Sequence, residues 1–414
     1  MLAFLAVVFW YLVFSYVIYK IIRKQTVSMT FAEVMLVYGI KILLGCMYGY
    51  IFLHYYQGND PWALHAHSIQ EKQLLLTDPL QFFWEFTPAT AIKNGTGFFS
   101  ILGFYLADLE YCFQAKTLGI FNLISQDNYY VNVVLWNFII FWGHYWLLSL
   151  FMKEFPLKRK LYFILVFLFP PAVFWLSGIR SDGLLFFWLS LLLLHFHQWL
   201  GKPSVSSLFL WVTGFIGVLI MRAGVAVVLV PALLSWWFSV RISKRPLLSY
   251  LVIYGLAGII FFGSTLLTTP NLTRYVVDTQ KNFLKLKGSS FHLDTLQPNL
   301  KSFASIFPQA AVNTFLRPML WEAKGILQGM AALEILIFLA LFLFLILKPT
   351  PQWKENIQNP MMLLLLFFGV SLYIFIGYTV PFPGAIVRYK IIPEIFLLVL
   401  ICTCIKTPHR LRLK

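Results

Sequence analysis

About eleven long apolar runs dominate this chain, and their length limits what it can fold into. A helix that crosses a membrane needs about 20 apolar residues, with a usable range of about 17–25. In lipid, every backbone polar group must be paired within the protein, so such runs favour helices. The runs lie near 1–19, 31–53, 131–152, 161–179, 183–200, 206–221, 223–240, 248–268, 326–347, 361–380 and 389–405.

Composition supports a lipid environment. The chain has 414 residues, of which 60% are hydrophobic and 12% are charged, whereas a soluble protein carries about 25% charged residues. We therefore predict an all-α, polytopic membrane protein that forms a single integral-membrane domain over 1–414. The first run has no basic stretch before it and no cleavage site after it, so we expect a retained span rather than a signal peptide.

The net charge of +16 comes largely from short basic clusters between the apolar runs. Such clusters follow the positive-inside rule and do not indicate a nucleic-acid partner. They follow the first, third, seventh and last runs, so eleven crossings place all of them on the cytoplasmic face. The residues are Lys20, Arg23, Lys24, Lys153, Lys158, Arg159, Lys160, Arg241, Lys244, Arg245, Lys406, Arg410, Arg412 and Lys414.

The same count places two long loops, 54–130 and 269–325, on the opposite, outer face, together with the short hairpin tips. We expect both loops to carry interfacial helices. The apolar stretch 97–113 is one of them, because it is short and contains Asp108 and Glu110. Lys41 and Glu334 instead lie deep within apolar runs, where a charge is costly, so each is expected to have a polar partner, possibly the other.

Six charged residues meet at this outer face, one of which is Arg317 in the second long loop. Asp60 follows the second run, and we consider it either a turn or helix-capping residue or a general base. Arg180 and Asp182 occupy a hairpin tip, where headgroup contact and helix capping are the alternatives to a functional role. Arg222 lies between two spans with almost no loop. Arg388 could snorkel to headgroups or bind a phosphate through its guanidinium fork.

Known soluble-enzyme motifs do not account for these charges. The chain has no Walker loop, no dinucleotide glycine motif and no metal-binding spacing of histidine or cysteine. His65 and His67 are two residues apart, which directs them to different sides of a helix. The four cysteines are too few for a disulfide framework.

The order of three short motifs resembles the GT-C type of integral-membrane glycosyltransferases, in particular a bacterial branch. They are the loop aspartate Asp60, the Phe-Trp-x-Ser-Gly-x-x-x-Asp hairpin over 174–182 and the Arg-Tyr-Lys-x-x-Pro sequence over 388–393. A Phe-Leu-Arg-Pro segment over 315–318 also resembles this family. The resemblance extends over most of the chain, but each motif is short.

The resemblance implies that a sugar passes from a polyprenyl-phosphate donor to an unknown acceptor at the outer face, in a bacterial inner membrane. Asp60 would be the catalytic base, because it matches the loop aspartate of the family. The family often has a second acid there, whereas here Asn59 precedes Asp60, so no metal or other cofactor is expected. The donor phosphate would be held by Arg388, Arg222, Arg317 and Arg180, with Asp182, Tyr389 and Lys390 in support.

Two alternatives remain open at this stage. A polymerase or ligase that joins lipid-linked glycans needs the same outer-face arginines. A non-enzymatic carrier of a charged lipid or sugar is expected to have charges at the bilayer midplane and related halves, and no internal repeat is apparent in the sequence.

Overall fold

The protein is an all-α polytopic chain, as the apolar runs predicted. The computed structural model describes residues 2–58, 60–85, 98–267, 271–286, 290–323, 325–351 and 353–405, so the last basic cluster lies outside the described residues. Within these ranges the chain forms helices and no β-strand, apart from an isolated bridge between Pro349 and Ile405.

The helices are numbered here in chain order. Those up to residue 221 are α1 (Leu2–Ile22), α2 (Phe31–His54), α3 (Asp60–Thr77), α4 (Pro79–Trp84), α5 (Phe98–Ser125), α6 (Tyr129–Glu154), α7 (Arg159–Phe163), α8 (Pro170–Trp175), α9 (Ser181–Gly201) and α10 (Val205–Met221). The others are α11 (Ala223–Arg241), α12 (Pro246–Gly263), α13 (Leu272–Leu284), α14 (Leu300–Phe315), α15 (Ile326–Leu347), α16 (Trp353–Ile357), α17 (Pro360–Thr379), α18 (Pro383–Tyr389) and α19 (Ile391–Cys404).

Eight of the described helices are long and apolar enough to cross a membrane, namely α1, α2, α6, α9, α11, α12, α15 and α17. Two further apolar helices, α10 and α19, are shorter. These helices coincide with ten of the predicted spans to within a few residues. The prediction of an integral, multi-pass membrane protein is therefore confirmed, whereas its orientation stays a prediction.

The predicted span over 161–179 is the exception. Here the chain is broken into α7, a π-helical turn (Ile164–Leu168) and α8. Pro170 and Pro171 open α8 and have no backbone N–H to donate, and Phe169 before them adopts an extended conformation. The prediction of one continuous helix was wrong at this point, because hydropathy does not register the lost hydrogen-bond donors.

The described residues divide into two compact units. Unit 1 comprises 1–95, 101–156 and 162–223, and unit 2 comprises 96–100, 157–161 and 224–414. The single integral-membrane domain inferred from the sequence stays a prediction.

Helix α6 forms the core of unit 1. Within its most apolar window 78% of the residues are buried, against 11% for α1, whose exposed apolar side chains suit a lipid-facing surface. Glycines allow α6 and α9 to approach closely: a Cβ atom at Gly143 would lie 2.7 Å from Phe187 Cα, and one at Gly183 would lie 2.8 Å from Leu176 O and also meet Ile140. Such small-residue contacts stabilise helix pairs in lipid, where apolar side chains gain little from leaving the solvent.

Helix α17 has the corresponding position in unit 2, where it packs against α14 and α19. The second outer loop folds over it through a cluster of buried apolar residues, Val276, Val277, Leu293, Leu296, Phe303, Ile306, Ala310 and Tyr378. The Gln280 side chain joins the parts of this loop, since it donates to Tyr378 O (3.0 Å) and accepts from Leu296 N (2.8 Å).

Both outer loops carry helices, as expected. The first contains α3, α4 and α5, and the second contains α13 and α14. The stretch predicted as an interfacial helix over 97–113 belongs to the longer α5, which continues to Ser125. Residue 97 lies outside the described residues.

The prediction of polar partners for the two intramembrane charges is confirmed, and each has a partner within its own unit. In unit 1, Lys41 is fully buried, and its Nζ lies 3.0 Å from His144 Nε2 and 3.1 Å from Ser177 Oγ. In unit 2, Glu334 Oε1 lies 3.4 Å from Lys390 Nζ.

Candidate functional site

A group of charged side chains lies where four segments of unit 1 meet. Asp60 is the first residue of α3, and its carboxylate accepts a hydrogen bond from Arg180 Nη2 at 2.6 Å. The Asp60 side chain is 63% exposed, whereas that of Arg180 is 18% exposed. The Asp60 carboxylate is therefore accessible, whereas the arginine that binds it is mostly buried.

Buried polar contacts from α2 and α6 fix the position of the hairpin before α9. Lys41 Nζ donates to Ser177 Oγ, and Asn137 Nδ2 donates to Ser177 O at 2.9 Å. Gly178 lies against the ring of Tyr48, which a Cβ atom would approach to 2.6 Å. These contacts from α2 and α6 set the position of Arg180, two residues further along the chain.

Asp182 and Arg222 form a second, more buried ion pair beside the first. Asp182 lies in the first turn of α9, where a negative charge interacts favourably with the helix dipole. Its Oδ1 accepts from Arg222 Nη2 at 3.1 Å, and the two side chains are 5% and 23% exposed. Arg222 ends α10, so this pair connects the start of one span to the end of the next.

Glu110 of α5 is a member of this group that the sequence analysis did not select. It accepts a hydrogen bond from the Ser181 hydroxyl and interacts electrostatically with Arg222, Asp182 and Arg180. Burial raises the pKa of Glu110, and the neighbouring Arg222 partly offsets the rise. The available signal was an acidic residue within an apolar stretch, where an ionised carboxyl group needs a partner.

We call Asp60, Glu110, Arg180, Asp182 and Arg222 the charged cluster. With every side chain ionised, it carries three negative charges and two positive ones. Protonation of Glu110 would make the charged cluster neutral overall. The cluster can therefore hold an anion through its guanidinium groups only when the negative charge of its own carboxylates is reduced or displaced.

An apolar cavity of about 420 Å³ lies between α5, α6 and α9 in the same unit. Its walls include Phe113, Thr117, Phe138, Trp142, Phe187 and Trp188. The first of these follows Glu110 by three residues and the second by seven, so they share one face of α5 with it. These two lining residues therefore lie about 5 Å and about 10 Å along the α5 axis from Glu110, at 1.5 Å per residue.

The other predicted site residues belong to unit 2. Arg317 donates to Glu322 Oε1 (2.8 Å) and Asn313 Oδ1 (3.2 Å), and its guanidinium lies 4.3 Å from the ring centre of Phe291. These contacts hold it against its own loop. The role of Arg317 in phosphate binding stays a prediction.

The residues of the Arg-Tyr-Lys motif over 388–390 have different surroundings. Arg388 Nη2 donates to Tyr389 Oη at 3.2 Å, and its guanidinium lies 4.9 Å from the Tyr389 ring centre. The Lys390 side chain is only 1% exposed and approaches Glu334. Arg388 and Tyr389 thus interact with each other, whereas Lys390 is engaged inside the protein.

The histidines of the first loop take part in local contacts. His65 Nε2 lies 3.2 Å from Asp127 O, and His67 Nε2 lies 3.7 Å from Glu71 Oε1. In the part of the chain that the structure describes, no three His, Cys, Asp or Glu residues are grouped to hold a metal ion.

Comparison with known proteins adds no relative to this picture. No family model, curated protein or solved structure matches the chain. The resemblance of its short motifs to a transferase family therefore has no independent support from these comparisons.

Proposed function

We propose that this protein is a membrane glycosyltransferase that transfers a sugar from a polyprenyl-phosphate donor to an acceptor. The observation that carries the proposal is that the charged cluster and an aromatic-lined cavity share one face of α5 within unit 1. A lipid-linked phosphate has the same division into a charged head and a long apolar chain. We further propose that the site faces the periplasm from a bacterial inner membrane.

Arg180 and Arg222 are the proposed phosphate ligands. A guanidinium group presents several N–H donors in a planar fork that matches two phosphate oxygens. Both arginines are partly accessible, at 18% and 23% exposure. Arg180 now donates to the exposed Asp60, so an incoming phosphate would compete with that carboxylate for the same guanidinium.

Asp60 is the proposed general base. When the phosphate displaces Asp60 from Arg180, the Asp60 carboxylate would lie beside the phosphate and could take a proton from the acceptor. The acceptor oxygen or nitrogen then bonds to the anomeric carbon, and the bond from that carbon to the phosphate oxygen breaks. The electron pair leaves with the polyprenyl phosphate, whose growing charge Arg180 and Arg222 would offset.

The aromatic cavity is the proposed site for the first part of the isoprenoid chain. Phe113 and Trp188 are in edge-to-face contact, with ring centres 6.4 Å apart. Apolar and aromatic walls bind a hydrocarbon chain by burial and dispersion rather than by specific hydrogen bonds. Removal of bulk at this position is expected to change donor affinity more than the rate of the chemical step.

The decisive experiment uses the purified full-length protein in detergent with labelled polyprenyl-phosphate sugars and a panel of acceptors. Sugar transfer supports the proposal, and release of free polyprenyl phosphate provides the matching product. Binding without turnover favours the carrier alternative. Transfer only from preassembled glycans favours a polymerase or ligase.

A further inference from the structure

A separate group of ionisable side chains is buried in unit 2. Glu334 of α15, Tyr373 of α17, Lys390 between α18 and α19, and Glu394 of α19 are all less than a tenth exposed. Lys390 Nζ lies 3.4 Å from Glu334 Oε1. Every residue of α19 from Ile391 to Cys404 is buried, so this group has an apolar environment.

The two carboxyl groups of this cluster contact each other directly. Glu394 is in hydrogen-bonding contact with the Glu334 side chain. A hydrogen bond between two carboxyl groups requires a proton on one of them, because two carboxylate oxygens can only accept. Two ionised carboxylates in hydrogen-bonding contact within an apolar interior would repel each other strongly.

Charge balance gives the same result independently of that contact. Lys390 supplies one positive charge, which balances one carboxylate and leaves the other in excess. Glu394 Oε2 accepts no hydrogen bond from any residue in the described part of the chain, although it is fully enclosed. Tyr373 is close enough to interact with both carboxyl groups but contributes no positive charge.

We propose that Glu334 and Glu394 form a proton-binding site that holds one exchangeable proton beside Lys390. The site lies eight residues into α15, about 12 Å along the helix axis from its first residue at 1.5 Å per residue. It shares no residue with the charged cluster of unit 1. Its ligand is a proton, because two carboxylates and one ammonium group carry a net charge of −1 and one further positive charge makes them neutral.

A hydrophobic carbodiimide tests this site, because such reagents modify protonated carboxyl groups in apolar surroundings. The purified full-length protein in detergent is treated with dicyclohexylcarbodiimide over a range of pH, and the adducts are located by peptide mass spectrometry. We expect an adduct on Glu334 or Glu394 that decreases as the pH rises. Glu71 provides the internal control, since it is a buried carboxylate with its own cation, Lys116 at 2.9 Å, besides His67 at 3.7 Å, and should stay unmodified.

Two variants give opposite expected results. Glu334→Gln leaves one carboxylate for Lys390, so no proton is needed, and modification of Glu394 should fall at least about tenfold. Lys390→Met leaves two carboxyl groups without a cation, so modification should persist to higher pH. Equal modification of Glu394 in the wild type and in Glu334→Gln would overturn the proposal.

Infrared spectroscopy provides a measurement that does not depend on access of the reagent. A protonated carboxyl group has a C=O stretching band that shifts in D₂O. We expect such a band in the wild type, and its loss in Glu394→Gln. A wild-type protein with neither the carbodiimide adduct nor this band would show that the site holds no proton.

Discussion

The substitution Asp60→Asn separates a catalytic role from a structural one, because the two roles predict very different magnitudes. Asp60 is 63% exposed and pairs with Arg180 at 2.6 Å. Exposed ion pairs stabilise proteins by about 0–1 kcal/mol, and a carboxylate in the first turn of a helix adds about 0.3–1 kcal/mol. Asparagine keeps the shape of the side chain, so we expect unfolding free energy to fall by less than about 2 kcal/mol.

The expected effect on turnover is much larger. A general base contributes about 10²–10⁴-fold to a rate, and asparagine cannot accept the proton. Turnover with a labelled polyprenyl-phosphate sugar should therefore fall at least about 100-fold, while thermal unfolding in detergent changes little. A loss of less than about threefold would refute Asp60 as the base.

Asp127→Asn is the matched control for this experiment. Asp127 also pairs with a basic side chain in the first outer loop, Lys72, and is 32% exposed. It has φ = 63°, a backbone conformation that asparagine tolerates well. We expect this variant to keep its turnover, so an equal loss in both variants would indicate a general effect on the loop rather than lost basicity.

Three other substitutions test the geometry of the charged cluster. Asp182→Ala removes the buried partner of Arg222, which is itself 23% exposed, so thermal unfolding should reveal a loss of about 1–3 kcal/mol, below the value for a fully buried pair; an unchanged protein would show that the pair contributes nothing. Burial raises the pKa of Glu110, so its contribution to stability is fully present below the ordinary pKa of 4.5 and is lost as the pH rises through the pKa in the folded protein. Glu110→Gln should therefore flatten the pH dependence of the unfolding free energy above pH 4.5. Identical pH profiles for the wild type and the variant would contradict this. Gly178→Ala places a Cβ atom 2.6 Å from the Tyr48 ring, so it should destabilise the protein by about 1–3 kcal/mol and reduce turnover by moving the hairpin; full activity would show that the hairpin can move without consequence.

Most of the fold could be predicted because a membrane span has a strong and local signal. Ten of the predicted spans coincide with helices because about 20 consecutive apolar residues have few alternatives in lipid. The failure over 161–179 has an equally local cause in Pro170 and Pro171. Hydropathy counts these residues as part of an apolar run, whereas the helix requires the hydrogen-bond donors that they lack.

Pairing between distant residues could not be read from the sequence in the same way. Both Lys41 and Glu334 were expected to have polar partners, because an isolated charge in lipid is expensive. The identity of the partners, His144 with Ser177 in one case and Lys390 in the other, depends on how the helices pack. A burial argument predicts that a partner exists, but only the packing selects it.

Glu110 shows how such pairing changes the chemistry of a site. Charge counting in the sequence placed Asp60 and Asp182 at one face with four arginines, which suggests a positively charged surface ready for a phosphate. Only two of those arginines, Arg180 and Arg222, belong to the charged cluster. Glu110 adds a third carboxylate, so the ionised cluster carries one more negative charge than positive ones. A donor phosphate would add to that excess unless Glu110 holds a proton or Asp60 leaves Arg180. The burial that raises the pKa of Glu110 favours the first route, and the exposure of Asp60 favours the second. The proposed donor would then bind more tightly as the pH falls, and its arrival would release the base that the reaction needs.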